Sequence, residues 1–67
     1  MSLKKRSFTL SGHRTSVALE AEFWAVIDRA AQAEGKALAA LVAQIDATRG
    51  ERPLASALRL YALAAPK

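Results

Sequence analysis

Lys4, Lys5, Arg6 and Arg14 fall within the first fourteen residues with no acid among them. From residue 15 onward the bases Arg29, Lys36, Arg49, Arg52, Arg59 and Lys67 are balanced by Glu20, Glu22, Asp28, Glu34, Asp46 and Glu51. The whole formal excess of +4 therefore sits in one short segment. Lysine and arginine gain free energy by releasing counterions condensed on nucleic acid, so a local basic excess beside a neutral body is the footprint of a phosphate-binding surface. On that reading Lys4, Lys5 and Arg6 are the candidate phosphate contacts. A solvated tail whose charge serves solubility is the competing reading of the charge alone.

Other chemistries find little support. His13 is the one histidine and cysteine is absent, so a metal site would need carboxylates at unrelated spacings. No metal and no cofactor is expected, and His13 reads as a turn or strand residue close to phosphate. Ser16, His13 and Asp28 lack any motif that would align them as a catalytic triad. A domain this small also has little room for a substrate pocket of about 300 Å³ or more, so enzyme activity is not expected. The apolar stretch Ala37 to Ala47 is broken by Gln44 and Asp46. It falls well short of the roughly 20 residues a membrane helix needs. The basic cluster is followed by Ser7-Phe8-Thr9-Leu10-Ser11-Gly12, too short and polar for the core of an export signal, so a cytoplasmic location is expected.

The elements that must position these groups follow from periodicity. Over residues 14 to 19, Thr15, Val17 and Leu19 alternate with Arg14, Ser16 and Ala18, the pattern of a strand with one buried face. Upstream, Phe8 and Leu10 are apolar at even numbers, so the register changes between the two stretches, with Ser11-Gly12 as turn or bulge. From Glu20 the period lengthens to that of an amphipathic helix, about residues 20 to 34. Its stripe is Phe23, Ile27, Ala30 and Ala31, flanked by Trp24 and Val26, and Gly35 closes it. Phe23 and Trp24 read as core rather than as stacking platforms for single-stranded nucleic acid. A second helix, about Ala37 to Thr48, carries Leu38, Leu41, Val42 and Ile45. Gly50 ends it, and Pro53 opens a third helix with Leu54, Ala57, Leu58 and Tyr61 on one stripe. Leu60 and Leu63 widen its apolar surface, so it packs against more than one neighbour. The organisation is thus a basic arm, residues 1–12, and one domain, residues 13–67.

A chain of 67 residues buries only about 60% of the surface its unfolded form exposes, and here no disulfide compensates, so a dimer is expected. A lone strand must also find backbone partners. The same strand of a second subunit would supply them, and so would residues 7–10 in an intrachain hairpin.

The pattern Arg14-Thr15-Ser16-Val17-Ala18-Leu19, then Glu20 to Glu34, then Gly35-Lys36-Ala37-Leu38 and Ala40-Leu41-Val42 resembles the ribbon-helix-helix family, the dimeric fold of the Arc and methionine repressors. Ser11-Gly12-His13-Arg14-Thr15-Ser16-Val17 with Glu22-Phe23-Trp24, and Ile45-Asp46 with Ser56-Ala57-Leu58-Arg59, is similar to a bacterial subfamily of short proteins with this domain. The resemblance spans about residues 6 to 63. It implies a mostly α fold with a short N-terminal strand and an added C-terminal helix. Two chains would intertwine through a two-stranded antiparallel ribbon, one strand from each, inserted in the DNA major groove. The outward residues Arg14, Ser16 and Ala18 then face the bases. Arg14 can hold a guanine edge with two hydrogen bonds, Ser16 can donate or accept, and Ala18 offers a methyl contact. The start of the second helix holds a phosphate through Lys36 and the backbone at Ala37, Leu38 and Ala39, with Ala37 standing where relatives carry Ser or Thr. Val17, Leu19, Phe23, Trp24, Ile27, Leu38, Leu41, Val42 and Ile45 form the dimer core. The function implied is a nucleoid-associated transcriptional repressor that binds double-stranded DNA and occludes a promoter or operator. Further pairing of dimers on adjacent half-sites is compatible with this. The alternative is a dimeric protein-interaction module, antitoxin-like or an adaptor, with weak or no DNA binding. Antitoxins of this fold carry a longer disordered tail after the second helix; here the helix from Leu54 to Ala64 takes that place, which favours the regulator.

Overall fold

The computed structural model describes residues 2–65. The expected domain ranges also take in Met1, Pro66 and Lys67, which lie outside the described residues. Five elements follow one another: strands β1 (Leu3–Leu10) and β2 (His13–Glu20), then helices α1 (Ala21–Ala33), α2 (Leu38–Thr48) and α3 (Leu54–Ala64).

The two strands form an antiparallel hairpin with Leu10 opposite His13, Phe8 opposite Thr15, Arg6 opposite Val17 and Lys4 opposite Leu19. Ser11 and Gly12 make the two-residue loop, both at positive φ, 51° and 79°. That is the mirror-image turn whose twist suits a hairpin, and glycine takes the left-handed conformation without steric cost. The change from even to odd apolar positions is thereby explained, because residues directly opposite share a face. Phe8, Leu10, Val17 and Leu19 all point to the helices and are buried.

The structure places a strand at residues 3–10 of the expected arm, and one edge of β2 pairs with β1 of the same chain, the intrachain hairpin that the sequence also allowed. The physical reason is local: a tight turn brings Leu3–Leu10 alongside at little loop-closure cost.

Helix α1 carries Glu22 in its first turn, where a carboxylate suits the positive end of the helix dipole. It ends in a Schellman motif. The Lys36 N–H donates to the Ala31 carbonyl at 2.9 Å and the Gly35 N–H to that of Gln32 at 3.1 Å, with Gly35 at φ 67°. Helix α2 starts after Ala37, whose methyl side chain provides no cap bond. Pro53 precedes α3, its carbonyl accepting from the Ala57 N–H at 3.0 Å.

The core closes within one chain. Leu19, Ile27, Leu41, Val42 and Leu58 are fully buried, and Trp24, Val17 and Ile45 nearly so. Phe23 and Leu38 are partly buried against the same cluster. The residues expected in a dimer core are thus packed by their own chain. Phe8 and Leu10 of β1 cover one side, and Ala57, Leu58 and Ala62 of α3 supply another wall. Helix α3 packs against α1, α2 and β2, yet leaves Leu60 and Leu63 on the surface.

Trp24 joins β1 to α1. Its indole N–H donates to the Lys4 carbonyl at 2.7 Å, its ring lies 4.7 Å from the Arg6 guanidinium, and its centroid is 6.1 Å from that of Phe8. Replacing Trp24 with Phe keeps an aromatic ring but removes the donor and leaves the carbonyl under-satisfied. We expect a loss of about 1–2 kcal/mol in denaturant titrations; an unchanged midpoint would show that the indole bond carries no net stability. At the turn, Ser11→Asn places a residue better suited to positive φ before Gly12. It should raise stability by about 0.5 kcal/mol without altering the cooperativity of unfolding.

Candidate nucleic-acid interface

With one ribbon face buried, alternation puts Lys5, Ser7 and Thr9 of β1 and Arg14, Ser16 and Ala18 of β2 on the other. The rows across this face read Lys5 with Ala18, Ser7 with Ser16, and Thr9 with Arg14. The Ser7 and Ser16 hydroxyls are 2.9 Å apart, and Arg14 Nη1 donates to Thr9 Oγ1 at 3.2 Å. Lys5, Ser7, Thr9, Arg14 and Ser16 are all exposed, and Ala18 is half-buried. Two cations thus flank a central hydroxyl pair, about 13 Å apart along the strands, at roughly 3.3 Å per residue. The surface can donate hydrogen bonds from a guanidinium and an ammonium, and can donate or accept through three hydroxyls.

The expected phosphate contacts are dispersed over the molecule. Lys5 joins the outward face. Lys4 and Arg6 belong to the opposite side of β1, where Arg6 forms a two-pronged ion pair with Asp28, Nη1 to Oδ1 at 2.9 Å and Nη2 to Oδ2 at 3.2 Å. Lys4 is exposed, and so is His13 beside the turn. Lys36 binds Glu34 at 3.1 Å and also donates to Gln44 Oε1. Ala37 is the extended residue before α2, Leu38 is half-buried and Ala39 exposed. The first N–H groups of α2 have no intrahelical partner, as at any helix start. Among the described residues no hydrogen bond or ion pair ties this helix start to the outward ribbon face.

Ser7 and Thr9 were not singled out for the face by sequence reasoning, because residues 1–12 read as an arm. The signal for them was the pairing of Phe8 and Leu10 with the Ser11-Gly12 turn, which places every odd residue of β1 outward.

Two carboxylates brace the frame behind the ribbon. Glu20, at the end of β2, accepts from Arg59 Nε on α3 at 3.1 Å, and the same guanidinium lies 5.8 Å from the Phe23 ring. A backbone hydrogen bond, followed by the bond from Arg59, holds the Glu20 carboxyl below its ordinary value of 4.5. Glu34 is lowered in the same direction by the Tyr61 hydroxyl, which donates at 2.8 Å, and by Lys36. Burial, then Glu34, pushes the Tyr61 hydroxyl up. Among the described residues no three His, Asp or Glu side chains gather into a metal site, and no helix is long and apolar enough to cross a membrane.

A family model for the ribbon-helix-helix domain matches residues 3–65. The chain belongs to the ribbon-helix-helix family, and the match takes in both strands and all three helices. Domains of this family generally bind DNA as transcription regulators and form dimers, and are typically not enzymes. No curated protein and no solved structure matches the chain.

Because Glu20 and Glu34 are more acidic in the folded chain than when unfolded, their stabilisation is complete above about pH 4.5 and is lost as pH falls through the lowered values. Thermal melts from pH 7 down to pH 3 should show a falling midpoint below that point, and Glu20→Gln with Glu34→Gln should flatten the acid limb. An acid limb of unchanged slope in the double variant would assign the effect to other carboxylates.

Proposed function

We propose that the chain is a sequence-specific double-stranded DNA-binding regulator that reads the major groove with the outward face of its ribbon and represses by occluding a promoter or operator. The observation that supports this most directly is the alignment of Lys5, Ser7, Thr9, Arg14 and Ser16 on one exposed face of a two-stranded ribbon. A groove about 12 Å wide admits a ribbon of this kind.

In this reading Arg14 takes a guanine through O6 and N7, Ser16 and Ser7 read donors or acceptors, and Ala18 meets a thymine methyl. Lys4, Lys5 and His13 hold phosphates along the flanks. The backbone at Ala37, Leu38 and Ala39 holds another, and Arg6 and Lys36 contribute charge while remaining tied to Asp28 and Glu34. The protein acts as a homodimer on the bacterial nucleoid. Since each chain brings a complete ribbon, two copies read two half-sites about one helical turn apart.

The test is selection of bound duplexes from fragmented genomic DNA at roughly physiological salt, where non-specific phosphate binding is weak. Enrichment of a palindromic site is expected. On that site Arg14→Ala should cost about 1–3 kcal/mol and relax discrimination at one position. Lys5→Ala should weaken all sequences alike and reduce the salt slope by about one. No enrichment by well-folded protein would remove the regulator reading, and equal loss of discrimination in both variants would undo the assignment of roles.

A further inference from the structure

Lys4, Lys5 and Arg6 follow one another on β1, yet among the described residues only Arg6 has an ion-pair partner. Trp24 and Asp28 are four residues apart, so they share one face of α1, and together they grip the Arg6 guanidinium. The carboxylate takes both Nη atoms, at 2.9 and 3.2 Å, and the indole ring lies 4.7 Å from the guanidinium carbon. The ring is itself buried and fixed by its bond to the Lys4 carbonyl. A two-pronged charge-assisted bond and a cation over an indole together hold an arginine more firmly than one exposed ion pair does. Asp28 has no other hydrogen-bonding or ion-pairing partner among the described residues.

This grip is made at the surface. The side chains of Arg6 and Asp28 are both 39% exposed, and β1 has a neighbouring strand on one side only. Alternation puts Arg6 on the same side of β1 as Lys4, two residues away, about 6.6 Å at roughly 3.3 Å per residue. That matches the rise of two phosphates along one DNA strand, about 3.4 Å each. A free guanidinium at this place would add one phosphate to those held by Lys4 and Lys5. With both Nη atoms on a carboxylate it displaces no counterion.

We propose that Asp28 withholds Arg6 from the phosphate backbone and so limits the sequence-independent part of the affinity for duplex DNA. The inference rests on the DNA-binding reading above and deepens it. Each phosphate contact steepens the fall of log K with log salt by about 0.9, which is about fivefold in affinity at 0.15 M relative to 1 M salt. Asp28 is therefore a positioning residue. It touches no DNA, and it decides whether the third cation of the run does. Discrimination between bases stays with Arg14.

The test measures binding of a random-sequence duplex and of the selected site from about 50 to 200 mM salt, for the wild type and four variants. Asp28→Asn should bind both duplexes about fivefold more tightly at 0.15 M and steepen both salt slopes by about 0.9, leaving the ratio between them unchanged. Arg6→Gln added to Asp28→Asn should return the slope to that of the wild type, and Asp28→Glu, which keeps a carboxylate, should not change it. Glu22→Gln removes an exposed acid from the same helix without freeing Arg6, and it too should leave the slope alone. A pair that only braced β1 would lower the melting temperature in Asp28→Asn and leave the slope unchanged, which overturns the proposal. An equal gain in Glu22→Gln overturns it in favour of net charge, as does a gain that survives Arg6→Gln. Failure of the regulator reading is seen separately. Absence of a selected site removes that reading while the random-duplex slopes still decide the role of Asp28, and absence of duplex binding by every variant overturns both.

Discussion

The hold of Trp24 on β1 sets the geometry of everything outward of it. Its indole bonds the Lys4 carbonyl, its ring lies under the Arg6 guanidinium and it packs against Phe8, so it touches three alternate residues of one strand. Asp28, four residues further along α1, completes the contact by holding Arg6 with both oxygens. Because side chains alternate with a period of two, a slip of one residue would turn Lys5, Ser7 and Thr9 inward and expose Phe8 and Leu10. Helix α1 thereby fixes which chemistry β1 presents, and the turn at Ser11 and Gly12 transmits that register to Arg14 and Ser16.

The placement of charge follows the same division. Arg6 with Asp28, Lys36 with Glu34, Arg49 with Asp46 and Arg59 with Glu20 are paired on or between the helices and the inner side of the ribbon. Exposed pairs of this kind contribute little stability each. Their larger effect is on the field: they neutralise the body and leave Lys4, Lys5 and Arg14 around the ribbon. The same accounting leaves Arg29 and Arg52 unpaired among the described residues, offset by Glu22 and Glu51.

Much of this was legible in the residues. The helices appear at their stripes of Phe23, Ile27 and Ala31, of Leu38, Leu41, Val42 and Ile45, and of Leu54, Ala57, Leu58 and Tyr61, because burial of one face imposes the 3.6-residue period. Gly35 marked the end of α1 for the same steric reason that it holds φ at 67°. The outward placement of Arg14, Ser16 and Ala18 followed from alternation alone. What alternation could not decide was the partner of β2. Strand pairing is non-local, Lys4 and Lys5 give β1 the composition of a charged arm, and lysines are also what edge strands carry to discourage further pairing. The side-chain partners of Arg6 and Lys36 were equally hidden, since both depend on how α1 and α2 pack rather than on local sequence.

A ribbon completed within one chain also changes what the proposed reading surface must do on meeting DNA. With β1 present, the face around Arg14 and Ser16 gains Lys5, Ser7 and Thr9, and its hydroxyls bond one another before any ligand arrives. That arrangement costs little to exchange. Each serine hydroxyl has one hydrogen and two lone pairs, so the contact of Ser7 with Ser16 leaves further acceptor capacity on both. Arg14 spends one of its five donors on Thr9, which restrains the guanidinium and leaves donors for the paired acceptors of a guanine. The side-chain entropy that an arginine on a bare strand would lose on binding is thus partly lost on folding. A hairpin in one chain can therefore prepare a reading surface that, in a strand-exchanged ribbon, would have to await a second subunit.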